Sequence, residues 1–163
     1  MLKCASDLPV PYVVDHSRAA SGSYSAVTDV LTVEAGSQGT EAAAVTAETL
    51  AREFLRSADA LAGTPASVDA TYFAVAEQVA KPPGESYEML VDNFELVRAG
   101  DPFARADGET LHAEDPFYPI LMSAWGYADV FGFEGCKLGE SVSEARAALA
   151  SGSGGSGHSP ASD

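Results

Sequence analysis

Three histidines, two cysteines and 24 carboxylates are the groups from which chemistry could be built. His112-Ala113-Glu114 has the opening spacing of a two-His-one-carboxylate iron site, which needs a second imidazole on the same face. His16 is the available partner, but it lies upstream rather than downstream, and His158 sits in a Gly/Ser-rich tail. Asp15, His16, Glu114 and Asp115 would have to converge across the fold; otherwise His112 and its acidic neighbours form a solvated loop. Asp15-His16-Ser17 is contiguous, and adjacent strand residues point to opposite faces, so it is no catalytic triad. The Gly-Ser-Gly pairs at 152–157 lie in the tail, where no scaffold would strain a nucleophile. Cys4 and Cys136 have no basic surroundings beyond Lys137 to activate a thiol. Glycines 132, 135 and 139 are read as following a helix rather than a strand, which is no phosphate-binding pattern. These residues predict no catalytic centre, no metal and no cofactor, with a metal-dependent enzyme built near His112 and Glu114 as the alternative.

Two other patterns point to binding. Phe117, Tyr118, Trp125, Tyr127, Phe131 and Phe133 place six of the fourteen aromatics within 17 residues. Ile120, Leu121 and Trp125 at helical spacing fit a core stripe, yet Tyr127, Phe131 and Phe133 extend beyond one stripe. Large aromatics anchor interfaces because they bury much area at little entropic cost. The expected partner surface therefore holds Trp125, Tyr127, Phe131 and Phe133. Charge supplies the second pattern: residues 85–115 carry a net −7, against −5 before them and −3 after. Glu88, Asp92 and Glu95 would make an acidic helix face, either attracting a partner or simply solvated.

The elements that must position these residues are read from periodicity and caps. Val10–His16 and Tyr24–Glu34 are β-rich and predict a hairpin across SRAASGS. Thr40 predicts the cap of a helix over 41–62, stopped by Gly63, with Ala47, Leu50, Phe54, Ala58 and Leu61 buried. Glu48 and Arg52 should pair on its surface. Residues 67–80 fit both periods, and Ser67 with Asp69 tips them towards helix. Tyr87, Leu90, Val91, Phe94 and Val97 predict a helix over 86–99. A loop follows over 101–115, with a short strand around Thr110–His112, and Asp115-Pro116 opens a helix to about Phe131. Asp-Pro-Phe occurs at 101–103 and 115–117, and helix-start chemistry accounts for the second copy. The tripeptide resembles the short motif recognised by clathrin-adaptor appendage domains, over those six residues alone. Ser141-Val142-Ser143-Glu144 is a capping box for a last helix to Ala150.

The expected fold is α+β: an N-terminal β-hairpin or small antiparallel sheet packed with four or five helices. Residues 1–7 are read as an extension, 8–150 as one domain and 151–163 as a flexible tail. The first residues lack an uninterrupted apolar stretch and no window spans a membrane, so the cytoplasm is the expected compartment. A net charge of −15 repels phosphates, which argues against nucleic-acid and anionic-membrane partners. The expected function is a small acidic accessory or assembly protein acting through another protein or itself; a structural subunit, such as a virion component, is a further alternative.

Only three lysines stand among nine basic residues, and this acid-rich, lysine-poor composition resembles that of proteins from salt-in halophiles. An ordinary acidic protein from a high-GC genome has the same look. Salt separates the two, because the screening length falls to about 3 Å at 1 M. If the resemblance reflects adaptation, unfolding titrations will show a fold that forms only in concentrated salt. A midpoint indifferent to salt removes that reading.

Overall fold

The computed structural model describes residues 2–17 and 31–152. Its described residues form two compact units: 2–13, 31–72 and 138–152 in the first, 14–17 and 73–137 in the second. The order is α1 (Leu2–Ser6), β1 (Tyr12–Asp15), α2 (Glu41–Ser57), β2 (Thr71–Ala80), β3 (Tyr87–Met89), β4 (Pro102–Ala106), β5 (Glu109–His112), β6 (Tyr118–Ile120), β7 (Val130–Gly139) and α3 (Val142–Gly152). Strand order is β1-β2-β7-β6 in one sheet and β3-β4-β5 in the other. The expected hairpin with four or five helices is therefore wrong: the described residues are mostly sheet, with three helices of which one is long.

In the first unit, the caps read from sequence are in place. Thr40 Oγ1 accepts from the Ala43 N–H at 3.2 Å and starts α2. Glu48 and Arg52 pair on its surface at 2.8 Å. The helix ends at Ser57, before Gly63, because Asp59 turns left-handed (φ 56°) and the Ala60 and Leu61 N–H groups fold back onto Leu55 O. Leu50 and Glu53 are its buried residues, whereas Ala47, Phe54, Ala58 and Leu61 are exposed, so the expected stripe is mostly uncovered. Glu53 tolerates burial because it pairs with Arg56 and accepts the Ala66 N–H at 2.7 Å. Ser141 Oγ accepts from the Glu144 N–H at 3.2 Å, and the Glu144 carboxylate reaches back to the Glu140 N–H at 2.7 Å. Ala70, Tyr72 and Ala145 form the unit's core with Val13, Leu138 and Val142.

The expectations of helix fail in residues 67–131. Tyr72, Phe73, Ala74 and Val75 are buried one after another, as in a strand covered on both faces, and that run obscures the period of two. Residues 86–99 hold β3 and irregular backbone: the Phe94 N–H donates to Pro119 O at 2.8 Å, and Val97 exchanges two 3.0 Å bonds with Phe117. Those distant partners replace the intrahelical bonds. Residues 101–115 form a hairpin whose turn is Asp107-Gly108, both with positive φ (48° and 86°), the two-residue turn that matches strand twist. The strand expected at Thr110–His112 lies within β5. Residues 116–131 hold β6 and a loop rather than a helix. Both Asp-Pro-Phe copies instead deliver Phe103 and Phe117 into one core, their rings 5.6 Å apart. Val10–His16 does yield β1, but its neighbour in the sheet is β2. Of its expected partner, residues 24–30 lie outside the described residues and 31–34 are not strand.

The second unit has two apolar clusters. One surrounds Phe103, Phe117, Met122 and Phe131; the other surrounds Phe73, Val75 and Ile120. β6 and β7 pair antiparallel, with Tyr118 opposite Gly135 and Ile120 opposite Phe133. A β-carbon at Gly135 would come within 2.2 Å of Ile120 Cδ1 and 3.0 Å of Ala74 O. Gly135→Ala is thus expected to overpack the sheet and lower unfolding stability by about 1–3 kcal/mol, measured as the shift of a denaturant midpoint.

Candidate functional site

The loop between β6 and β7, residues 121–129, is fastened at each end by side chains from other segments of the second unit. Asn93 Oδ1 accepts from the Met122 N–H at 2.7 Å and its Nδ2 donates to Met122 O at 3.0 Å. The Ser123 N–H donates to Phe131 O at 2.8 Å, closing the loop's base. Ser123 Oγ then accepts from the N–H groups of Trp125 (3.2 Å) and Gly126 (3.0 Å). In mid-loop the Lys81 ammonium donates to Ala124 O at 2.8 Å and Tyr127 O at 2.5 Å, and at the far end the Lys81 N–H donates to Asp129 O at 2.9 Å. The ammonium also stands 4.9 Å from the Tyr87 ring centroid and 5.8 Å from that of Phe131, a cation held against two aromatic faces.

This loop sorts the aromatic residues. Phe131 is fully buried, edge-to-face with Tyr87 at 5.7 Å and Phe103 at 6.4 Å. Phe133 is half-buried, 5.3 Å from His16 and 6.4 Å from Tyr127. Tyr127 is 41 % exposed and Trp125 is 71 % exposed, its ring edge-to-face with Tyr87 at a centroid distance of 6.1 Å. A lone exposed aromatic is ordinary. What distinguishes Trp125 is the ordered backbone beneath it, including Leu121 (φ 51°), with Phe94 (φ 69°) beside Asn93. Bulky residues in that region cost about 1–3 kcal/mol each and persist only where the surroundings enforce them.

The acidic residues are not brought onto one helix face. Glu88 is on β3 and pairs with Arg105 of β4 at 2.8 Å, its register partner. Asp92 and Glu95 are exposed and line a hollow of about 290 Å³ with Leu96 and Asp101. Glu134 was not singled out in the sequence reading. Its carboxyl is pushed up from the usual range by burial first, then by the neighbouring charges of Glu77, Asp115 and Glu114. Nothing local in the sequence pairs these four, since they come from β2, β7 and the segment before β6.

His112 is exposed on β5, and Glu114 and Asp115 are exposed just after it. His16 is half-buried; burial lowers its pKa more than the Asp15 charge raises it. Among the described residues, no three His, Cys, Asp or Glu side chains come together in a way that could hold a metal ion. Cys4 and Cys136 are free thiols. The first unit has an apolar cleft of about 480 Å³ lined by Leu8, Leu31, Val33, Leu50 and Phe54, with no charged side chain among the described residues that line it. Among the described residues, no helix is long and apolar enough to cross a membrane.

No protein-family model matches the chain, and no curated protein matches it significantly in sequence.

Glu134 yields a pH prediction. Its folded pKa lies above the ordinary value, so ionisation destabilises the fold at neutral pH, and this penalty vanishes as pH falls through the folded and then the ordinary value. Glu134→Gln is expected to raise the unfolding midpoint at about pH 7 and to match wild type near about pH 3. Equal midpoints at both pH values would refute the assignment.

Proposed function

We propose that the protein is a non-catalytic accessory or assembly factor that binds another protein, or a second copy of itself, through the loop carrying Trp125. The observation behind this reading is a tryptophan 71 % exposed on a loop whose backbone is already tied to Asn93, Ser123 and Lys81. An ordered loop loses little entropy on docking, and tryptophan is among the residues that concentrate binding energy. Tyr127 extends the surface, with half-buried Phe133 behind it. Phe131 supports the loop from the core rather than meeting a partner. Exposed Asp92 and Glu95 favour a partner that is not itself acidic. Free thiols fit a reducing, cytoplasmic setting.

Trp125→Ala and Phe131→Ala separate the two roles. Trp125→Ala should keep the unfolding midpoint within about 0.5 kcal/mol of wild type. It should also abolish both crosslinked partner capture and any concentration-dependent association seen by light scattering. Phe131→Ala should cost about 3–5 kcal/mol of stability. A Trp125→Ala protein that unfolds like Phe131→Ala, or that keeps every contact of wild type, sinks the reading.

A further inference from the structure

We propose that Asn93 is a latch that holds the Trp125 loop in one binding-ready conformation, rather than leaving it to order when a partner arrives. The proposal rests on the loop's reading as a binding surface for its purpose, but not for its physics. A single amide satisfies both backbone groups of Met122, at 2.7 and 3.0 Å, as a neighbouring strand would. The chain bends into the left-handed region on both sides of this clamp: at Phe94, which follows Asn93, and at Leu121, which precedes Met122. Neither residue adopts that conformation without being held there.

The bend at Leu121 has a packing consequence. Leu121 packs with Phe73, Val75 and Ile120, whereas Met122, the next residue, is buried with Phe103 and Phe131. The two neighbours thus enter different clusters of one unit, and the latch sits where the chain divides between them. Lys81 fastens the middle through Ala124 O and Tyr127 O, and the far end through its own N–H on Asp129 O. With both ends tied, Trp125 stays in solvent although the apolar clusters lie close by in sequence and space.

The test uses the full chain and needs no partner, because Trp125 is the sole tryptophan. In wild type, time-resolved fluorescence anisotropy should show Trp125 turning with the protein, without a fast local component. Asn93→Ala should introduce that component and speed amide exchange of Met122 by about tenfold, while unfolding stays cooperative. Asn93→Asp keeps the acceptor for the Met122 N–H and loses the donor to Met122 O, so it should fall between the two. It also serves if Asn93→Ala does not fold. Wild-type anisotropy with a fast local component overturns the proposal, as does a folded variant with unchanged exchange and anisotropy. A rigid wild-type loop that captures no partner would instead sink the binding reading and leave the latch standing.

Discussion

Two glycines of β7 set how closely β6 and the corner after it can lie against that strand, and much of the second unit follows from that distance. A side chain at Gly135 would strike Ile120, and one at Gly132 (φ 154°) would lie 2.6 Å from Leu121 O. Because neither is present, Ile120 and Phe131 become fully buried, each in its own cluster, and the chain between them is left to turn outward. Glycine inside a strand is otherwise weakening, so its use here marks a close approach of backbone to neighbour.

The outward turn would be a loose loop if its polar backbone groups faced only water. Asn93 and Lys81, twelve residues apart, supply partners at its two ends. Lys81 is one of three lysines in a chain of net charge −15, and among the described residues its ammonium meets carbonyls and ring faces, not a carboxylate. The acids meanwhile disperse: Glu88 into a cross-strand pair with Arg105, Asp92 and Glu95 to solvent, and half-buried Glu134 beside exposed carboxylates of like charge. Electrostatics here tunes stability and solvation, while packing and backbone pairing shape the loop.

Legibility in sequence followed the range of the interactions involved. Thr40 and the Ser141-to-Glu144 box were readable because a capping hydroxyl and the N–H that donates to it lie three residues apart. Glu48 and Arg52 were readable for the same reason. Residues 86–99 were misread although their apolar spacing was nearly ideal for a helix. Val97 pairs with Phe117 and Phe94 with Pro119, and such bonds leave no local mark. The Asp107-Gly108 turn did leave one, a hairpin dipeptide, but reading 101–115 as a loop with a single short strand gave that strand no partner. Within the aromatic series, composition did not carry the order of exposure. Trp125 and Phe131 were expected together on a partner surface, yet Trp125 is the most exposed of the series and Phe131 is the least.

By itself, then, the sequence determined the excess of acid and the starts of α2 and α3. These depend on residue counts or on contacts within one turn. Tertiary structure alone decided that residues 67–131 hold strands and irregular backbone instead of helices, that β7's glycines mark a close approach rather than a helix end, and that Trp125 faces solvent above an amide clamp. Each of those outcomes is a competition between intrahelical bonds and partners on other segments. Strand pairing and burial win it because they satisfy the same backbone groups while also removing Phe73, Phe117 and Phe131 from water.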